Sequence, residues 1–237
     1  MVLVRKQVPH KTVETIQQMI IAGELKPGER LPSQAEMAEK LNVSRPSLRE
    51  ALSMLETLGF LTIAPGIGTF VSSTNPTHSG SLASWRYQKS YDEAAVFQTR
   101  LYVECAIISE SALTIGVPDL DKLRAAARGM KQAWDEKNLL RVTECDTRFH
   151  ETIVNTCPNA LLVDIYTSGK HLFQETQVHP MPVTRMERAA SSIAEHEAII
   201  DALHSRNSIL AAQIMEKHIT NTAAALGIFL KRLPATS

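Results

Sequence analysis

Residues 23–71 read GELKPGERLPSQAEMAEKLNVSRPSLREALSMLETLGFLTIAPGIGTFV, and the punctuation of this stretch decides the fold. It reads as two short helices joined by a tight turn, a third helix, and a Gly-tipped hairpin. Ser33-x-x-Glu36, directly after Pro32, fits a capping box in which hydroxyl and carboxylate each satisfy an orphan backbone donor. Met37, Ala38 and Leu41 give one helix its apolar face, and Asn42-Val43 breaks it. Ser44 caps the next, with Pro46 in the first turn, where a missing N–H is no loss. Leu48, Ala51, Leu52, Leu55 and Leu58 then recur at helical spacing as a stripe to be buried, and Gly59 stops the helix. Leu61–Ile63 and Thr69–Val71 can pair as strands around Ala64-Pro65-Gly66-Ile67-Gly68.

Arg45 and Arg49 lie four apart, on a face next to the apolar stripe that stays free. The result is a projecting helix whose first turn carries Ser44, Arg45, Ser47 and Arg49, suited to a DNA major groove. The plainer reading of two such arginines is a solvated helix face.

The stretch resembles the winged helix-turn-helix of the GntR family of bacterial transcription regulators. The matching pieces are Pro27-Gly28-Glu29-Arg30-Leu31-Pro32-Ser33, Val43-Ser44-Arg45, Leu48-Arg49-Glu50-Ala51-Leu52, Leu58-Gly59 and Gly66-Ile67-Gly68-Thr69-Phe70-Val71. The resemblance implies that Ser33, Ser44, Arg45, Pro46, Ser47 and Arg49 approach bases and phosphates, and that the wing with Gly66 and Gly68 approaches the minor groove. Where the family often has Glu-Arg after Pro-Ser, supplying a further DNA-contacting Arg, this chain has Gln34-Ala35.

The 237-residue chain has room for one or two domains with real cores, and its many aliphatic and few aromatic residues favour packed helices. Net charge is zero, and residues 1–75 hold eight Lys+Arg against seven Asp+Glu, so the N-terminal module is no polybasic arm. Phosphate attraction must then come from local placement, and useful affinity from a dimer that doubles the contacts. Val2-Leu3-Val4 before Arg5-Lys6 is too short for a signal sequence, and the longest apolar runs, such as Ala223–Leu230, are too short to span a membrane. Cys105, Cys145 and Cys157 show no paired spacing and suit a reducing cytoplasm as small core residues.

Residues 72–81, SSTNPTHSGS, read as a linker, and Leu82–Gln88 as a possible short helix beyond it. The expected domains are residues 1–73, a winged helix-turn-helix; 74–90, linker; and 91–237, an antiparallel all-α bundle. Helices are expected at about 92–115, 119–136, 138–156, 160–177, 183–205 and 207–232, separated by Gly116-Val117-Pro118, Asn138, Cys157-Pro158-Asn159, Pro180-Met181-Pro182 and Asn207. Leu120, Leu123, Ala127, Met130 and Trp134 trace one apolar stripe, and Ala212, Met215, Ile219, Leu226 and Phe229 another. The fold class is mainly α with a small β-hairpin wing.

Four ionisable residues fall where the core of that bundle belongs. Asp146 and His150 share one helix face with Val142, Phe149 and Ile153; His196 lies between Ile193 and Ile200; His218 lies between Ile214 and Ala225. Inward-pointing Asp and His each cost on the order of a few kcal/mol unless compensated. Hydrogen-bonded core histidines and an internal salt bridge at Asp146 are one compensation; a shared divalent cation is the other. His171, His179 and His204 have no partner spacing and read as surface or loop residues, Trp85 and Trp134 read as packing, and Tyr102 falls on a different side of its helix from Arg100.

Asp-x3-His, a His in a Glu-His pair, and a His about twenty residues further on resemble the FCD ligand-binding domain of the FadR subfamily, and Arg100-x3-Glu104 matches the same domain. The resemblance implies a divalent metal held by Asp146, His150, His196 and His218: zinc first, with nickel, iron or manganese as alternatives. It further implies a small organic-acid effector at open coordination positions, with Arg100 and Glu104 in the effector site. Arg100 suits a carboxylate through its planar fork, while the alternative for it is an i,i+4 pair with Glu104 on a surface face.

The leading expectation is a cytoplasmic, metabolite-responsive repressor that binds a palindromic double-stranded DNA operator as a homodimer. A metal-dependent hydrolase or lyase using the same Asp/His set is the competing reading. Against it, no further carboxylate sits at a spacing that suggests a general base. Glu195 and Glu197 flank His196, but helical phase turns both off its face. A purely structural metal is a third option.

Overall fold

The computed structural model describes residues 8–72, 91–178, 180 and 186–231. These residues are mainly helical, with one two-stranded antiparallel sheet. They fall into two compact units, residues 8–72 in the first and the rest in the second.

The first unit comprises α1 (Val8–Ile21), α2 (Gln34–Lys40), α3 (Arg45–Thr57), β1 (Leu61–Ala64) and β2 (Gly68–Val71). Residues 23–71 therefore contain two helices, not three, and the third helix of the module is α1, which precedes them. The turn-forming run between α1 and α2 explains the difference. Gly23 and Gly28 both take left-handed φ values (78° and 82°), and Gly28–Leu31 lies along β2 instead of coiling. There Gly28 N–H donates to Val71 O (2.8 Å), Val71 N–H to Glu29 O (2.9 Å) and Leu31 N–H to Thr69 O (2.8 Å), giving the wing a third extended edge.

The Ser33–Glu36 capping box forms as expected. Ser44 caps α3, and Leu48, Ala51, Leu52, Leu55 and Leu58 are all buried, each leucine contributing roughly 1.5–3 kcal/mol of apolar burial. Helix α1 packs on α3 and buries Val13, Ile16 and Ile20. Gly59 (φ 78°) ends α3 in a left-handed cap, its N–H on Glu56 O and that of Phe60 on Leu55 O, both 2.9 Å. The strands pair Leu61 with Val71 through Ala64 with Gly68. Pro65-Gly66 forms their turn, closed by Ile67 N–H on Ala64 O (3.0 Å), with Gly66 at φ 74° where a type II turn demands it. Gly68 (φ 149°) could carry no Cβ without placing it 2.5 Å from Arg30 Nε.

The second unit comprises α4 (Glu93–Thr114), α5 (Val117–Asp135), α6 (Leu139–Asn155), α7 (Ala160–Val178), α8 (Met186–His204) and α9 (Ser208–Ala224). Helix α4 packs on α7 and α9, α5 on α6 and α8, and α8 on α9, around a core that includes Phe97, Leu101, Leu123, Phe149, Ile199 and Ile219. Two turns share one device. Lys137 (φ 56°) and Arg206 (φ 55°) close one helix, and the next residue, Asn138 or Asn207, caps the following helix by accepting from Arg141 N–H or Leu210 N–H (both 3.0 Å).

Helix boundaries match expectation within a few residues, except at the end. The helix expected over 207–232 stops at Ala224, because Gly227 turns left-handed (φ 76°) and Ile228 N–H bonds back to Ala223 O (3.1 Å). Phe229, expected on an apolar stripe, is consequently 88% exposed. Of the other stripe, Leu120, Leu123, Ala127 and Met130 are buried and Trp134 is half-buried. The helix expected from 183 is described from Met186, and the short helix at 82–88, with Trp85 and His179, lies outside the described residues. No described helix is long and apolar enough to cross a membrane. Cys105, Cys145 and Cys157 are free thiols, the first two buried.

Candidate functional site

The face expected to read DNA is built by the start of α3. Ser44 Oγ accepts Ser47 N–H (3.3 Å) and donates to Ser47 Oγ (3.1 Å), so its first task is to cap the helix. Ser33 is committed in the same way, accepting from Glu36 N–H (3.3 Å) while its own N–H donates to the Glu36 carboxylate (2.8 Å). The Ser33 hydroxyl and the Ser33 N–H together hold the Glu36 carboxyl below its ordinary range. Arg45, Pro46 and Arg49 are exposed along the first turns, and Ser47 is half-buried. Gln34 and Ala35 are exposed at the start of α2, and Gly66, Ile67 and Gly68 form the wing tip, with Ile67 exposed.

Inside the second unit, Asp146 and His150 on α6, His196 on α8 and His218 on α9 converge. One potential ligand atom from each lies within 4.8 Å of all the others. The three rings pack tightly, with centroids 4.5 Å apart for His196 and His218 and 5.4 Å for His150 and His218. Phe149 stands edge-on against His196 at 4.5 Å and closes the apolar side. Ligands about 2.1 Å from a metal are at most about 4.2 Å apart, so small side-chain shifts close these four on one ion.

Each imidazole is oriented from behind through Nδ1. His196 Nδ1 donates to Ser192 O (2.7 Å), one turn back along α8. His218 Nδ1 donates to Glu195 Oε2 (3.0 Å). His150 Nδ1 lies 2.7 Å from Glu104 Oε2, an ion-pair distance at an angle too poor for a hydrogen bond. At His196 and His218 this turns Nε2 toward the cluster, the arrangement by which outer groups present histidines to metals, while His150 Nε2 accepts from Arg100 Nη2. At His196 the consequence is sharp. With Nδ1 engaged by Ser192 O, its buried Nε2 faces Asp146 Oδ1 at 3.0 Å. Two acceptors in that position repel unless a proton or a cation lies between them.

The charges suit a cation. Burial pushes the Asp146 carboxyl up, but the His196 contact overcomes this and holds it well below the usual carboxylate range. Burial presses His218 down to about 3, helped by neighbouring His196 and opposed by Glu195, which keeps the ring neutral.

Arg100 is 1% exposed, on α4 at the edge of the cluster. Its Nε donates to Glu104 Oε1 (2.7 Å), its Nη1 to Thr176 Oγ1 on α7 (3.0 Å), and its Nη2 lies 3.2 Å from His150 Nε2. The pair with Glu104 does form, but in the core, which excludes the surface-face alternative. Glu104, pushed up by burial, is pulled down to about 2 by Arg100 and His150. Tyr102 is nearly half exposed, away from Arg100, and His171 and His204 are exposed.

Glu195 requires a correction. Helical phase takes it off the face of His196, yet it is buried and serves His218 on the neighbouring helix. Arg188 grips it with two hydrogen bonds (3.1 and 2.9 Å) and Asn221 Nδ2 donates to it at 2.6 Å. Burial raises its carboxyl, and His218 and Arg188 bring it to about 2. Glu197, turned off the face of His196 as expected, is exposed. Thr176 and the Ser192 carbonyl were also beyond reach of spacing, since neither residue type marks such a role.

A projecting helix with a Gly-tipped wing, joined in one chain to a helical bundle with a buried Asp/His cluster, is the make-up of a DNA-binding regulator with a second, all-helical domain. Residues 10–71 match the model of the bacterial regulatory proteins of the gntR family, and residues 95–221 match the FCD domain. The chain belongs to the GntR family of transcription regulators that carry an FCD domain. It is 28% identical to the HTH-type transcriptional regulator LutR of Bacillus subtilis (strain 168), over 88% of this chain and 96% of that one. It is 26% identical to the Uxu operon transcriptional regulator of Escherichia coli (strain K12), over 89% and 83%, and 27% identical to the HTH-type transcriptional repressor NanR of Citrobacter rodentium, over 97% and 90%. Among solved structures, E. coli McbR/YncC shares the fold with a TM-score of 0.55 at 17% identity, over 96% of this chain and 98% of that one. The family and the relatives are DNA-binding regulators, so the enzyme reading is set aside.

Proposed function

We propose that this regulator is a cytoplasmic repressor that binds a palindromic operator as a homodimer and releases it when a small carboxylate binds at a metal held in the FCD domain. Residues 1–73 would read DNA, 74–90 would link, and 91–237 would sense the effector and dimerise. Arg45 and Arg49, with Ser44, Pro46 and Ser47, would meet bases and phosphates in the major groove, Ser33 a flanking phosphate, and Gly66 and Gly68 the minor groove. A small module with near-balanced charge has few phosphate contacts, and two half-sites one turn apart multiply them. The repressor assignment draws support from relatives such as NanR of Citrobacter rodentium, which carries that description.

The observation that carries the sensing half is the buried convergence of Asp146 with three imidazoles, in which His196 Nε2 and Asp146 Oδ1 lie 3.0 Å apart and need a positive charge or a proton between them. Asp146, His150, His196 and His218 would hold the ion, zinc by preference and nickel, iron or manganese as alternatives. A divalent ion there would supply open positions and positive charge for a carboxylate. Arg100 Nη2, which donates to His150 Nε2, would turn to such a ligand once that nitrogen holds the ion, with Glu104 setting its orientation. The effector lowers DNA affinity to the extent that it prefers the DNA-incompetent arrangement of the dimer.

Selection of duplexes from a random pool tests the DNA half. Enriched sequences are expected to be palindromic, with half-sites about one helical turn apart. Arg45→Ala or Arg49→Ala is expected to weaken binding to the selected duplex by roughly 1–3 kcal/mol. Unchanged affinity for both variants in gel-shift titrations would contradict the recognition-helix assignment.

A further inference from the structure

Arg188, Glu195, Asn221 and Thr222, none of them a cluster residue, form a clasp between α8 and α9 that closes on the cluster residue His218. Arg188 and Glu195 are seven apart, two turns along one face of α8. The guanidinium spans both Glu195 oxygens, and its Nη2 also donates to Thr222 Oγ1 on α9 at 3.1 Å. Glu195 then divides its oxygens: Oε1 accepts from Asn221 Nδ2 and Oε2 from His218 Nδ1. His218 is the one cluster histidine whose partner is a carboxylate on a different helix in a well-aligned hydrogen bond. His196 uses a carbonyl of its own helix, and His150 faces Glu104 off-line.

From this geometry we infer that Glu195, held by Arg188, is the positioning residue that makes His218 a metal ligand. The inference rests on the metal reading above. Two effects operate. The hydrogen bond fixes the ring tautomer and rotation with Nε2 toward Asp146, and the negative charge behind the ring strengthens that nitrogen as a donor to a cation. Outer-shell groups of this kind typically govern metal affinity by about 10–100-fold. Arg188 confines the carboxylate to one rotamer and balances its charge, so that Glu195 does not itself draw the ion away from the cluster.

The test is zinc affinity of the full-length protein, measured by competition with a chelating dye. Glu195→Gln is the variant of choice, because an amide can still accept from His218 and the partly exposed Arg188 is not left as a buried unpaired charge. Zinc binding is expected to weaken at least about tenfold with helicity unchanged, while Glu197→Gln, on the exposed side, leaves it at the wild-type value. In a His218→Ala background Glu195→Gln is expected to cause no further loss, which a general loosening of the fold would not reproduce. Wild-type affinity in Glu195→Gln, or an equal loss with and without His218, overturns the inference while the metal site stands. A wild-type protein that takes up no zinc overturns the metal reading, and the inference with it.

Discussion

Arg100→Ala is expected to destabilise the FCD domain by about 3–5 kcal/mol, because it leaves the Glu104 carboxylate buried without its cation. The pair is almost wholly shielded from water, at 1% and 3% exposure, so solvent cannot take over the charge. His150 compensates only in part, since its Nδ1 meets Glu104 at a poor angle. The double variant Arg100→Met/Glu104→Gln should recover much of the loss, as it replaces the ion pair by groups of similar volume and keeps an acceptor behind His150. Urea denaturation of the single and double variants measures both. A cost below about 1 kcal/mol for Arg100→Ala would mean that the pair is far more hydrated than its burial indicates.

His196→Ala has the other large effect, and it acts through the metal. The substitution removes the Nε2 that faces Asp146 and the anchor to Ser192. Metal content after purification without chelator should fall from about one ion per chain to none. A ligand that binds only the folded state stabilises it by about 2.7 kcal/mol at one hundred times its dissociation constant. Zinc should therefore raise the melting temperature of the wild type and leave that of His196→Ala unmoved. An equal zinc-induced rise in both would place the ion elsewhere.

The N-terminal unit was legible because each of its decisions is local. Ser33, Ser44, Pro46, Gly59 and Gly66 act within a few residues of themselves, through caps and left-handed turns, and the leucine stripe of α3 needs only helical spacing. The extra edge at Gly28–Leu31 was not legible, since pairing with β2 depends on contacts forty residues away. In the FCD domain, Asp146 and His150 announce themselves by sharing a face with Phe149, and His196 and His218 by lying among isoleucines. Glu195 shows where such reasoning stops. Phase on α8 correctly places it off the side of His196, but what occupies that other side is α9, and no periodicity within one helix says what a neighbour brings. Phe229 fails for a related reason: one left-handed glycine at 227 ends the helix, and the apolar pattern beyond it no longer refers to a helical face.

The most direct measurement is release of a fluorescent operator duplex, followed by anisotropy as small carboxylates are added to zinc-loaded, metal-stripped and His196→Ala protein. All three forms should bind the duplex, and a carboxylate should release it from the zinc-loaded form alone. Equal release from the stripped protein and from His196→Ala would contradict control through the Asp146/His150/His196/His218 centre.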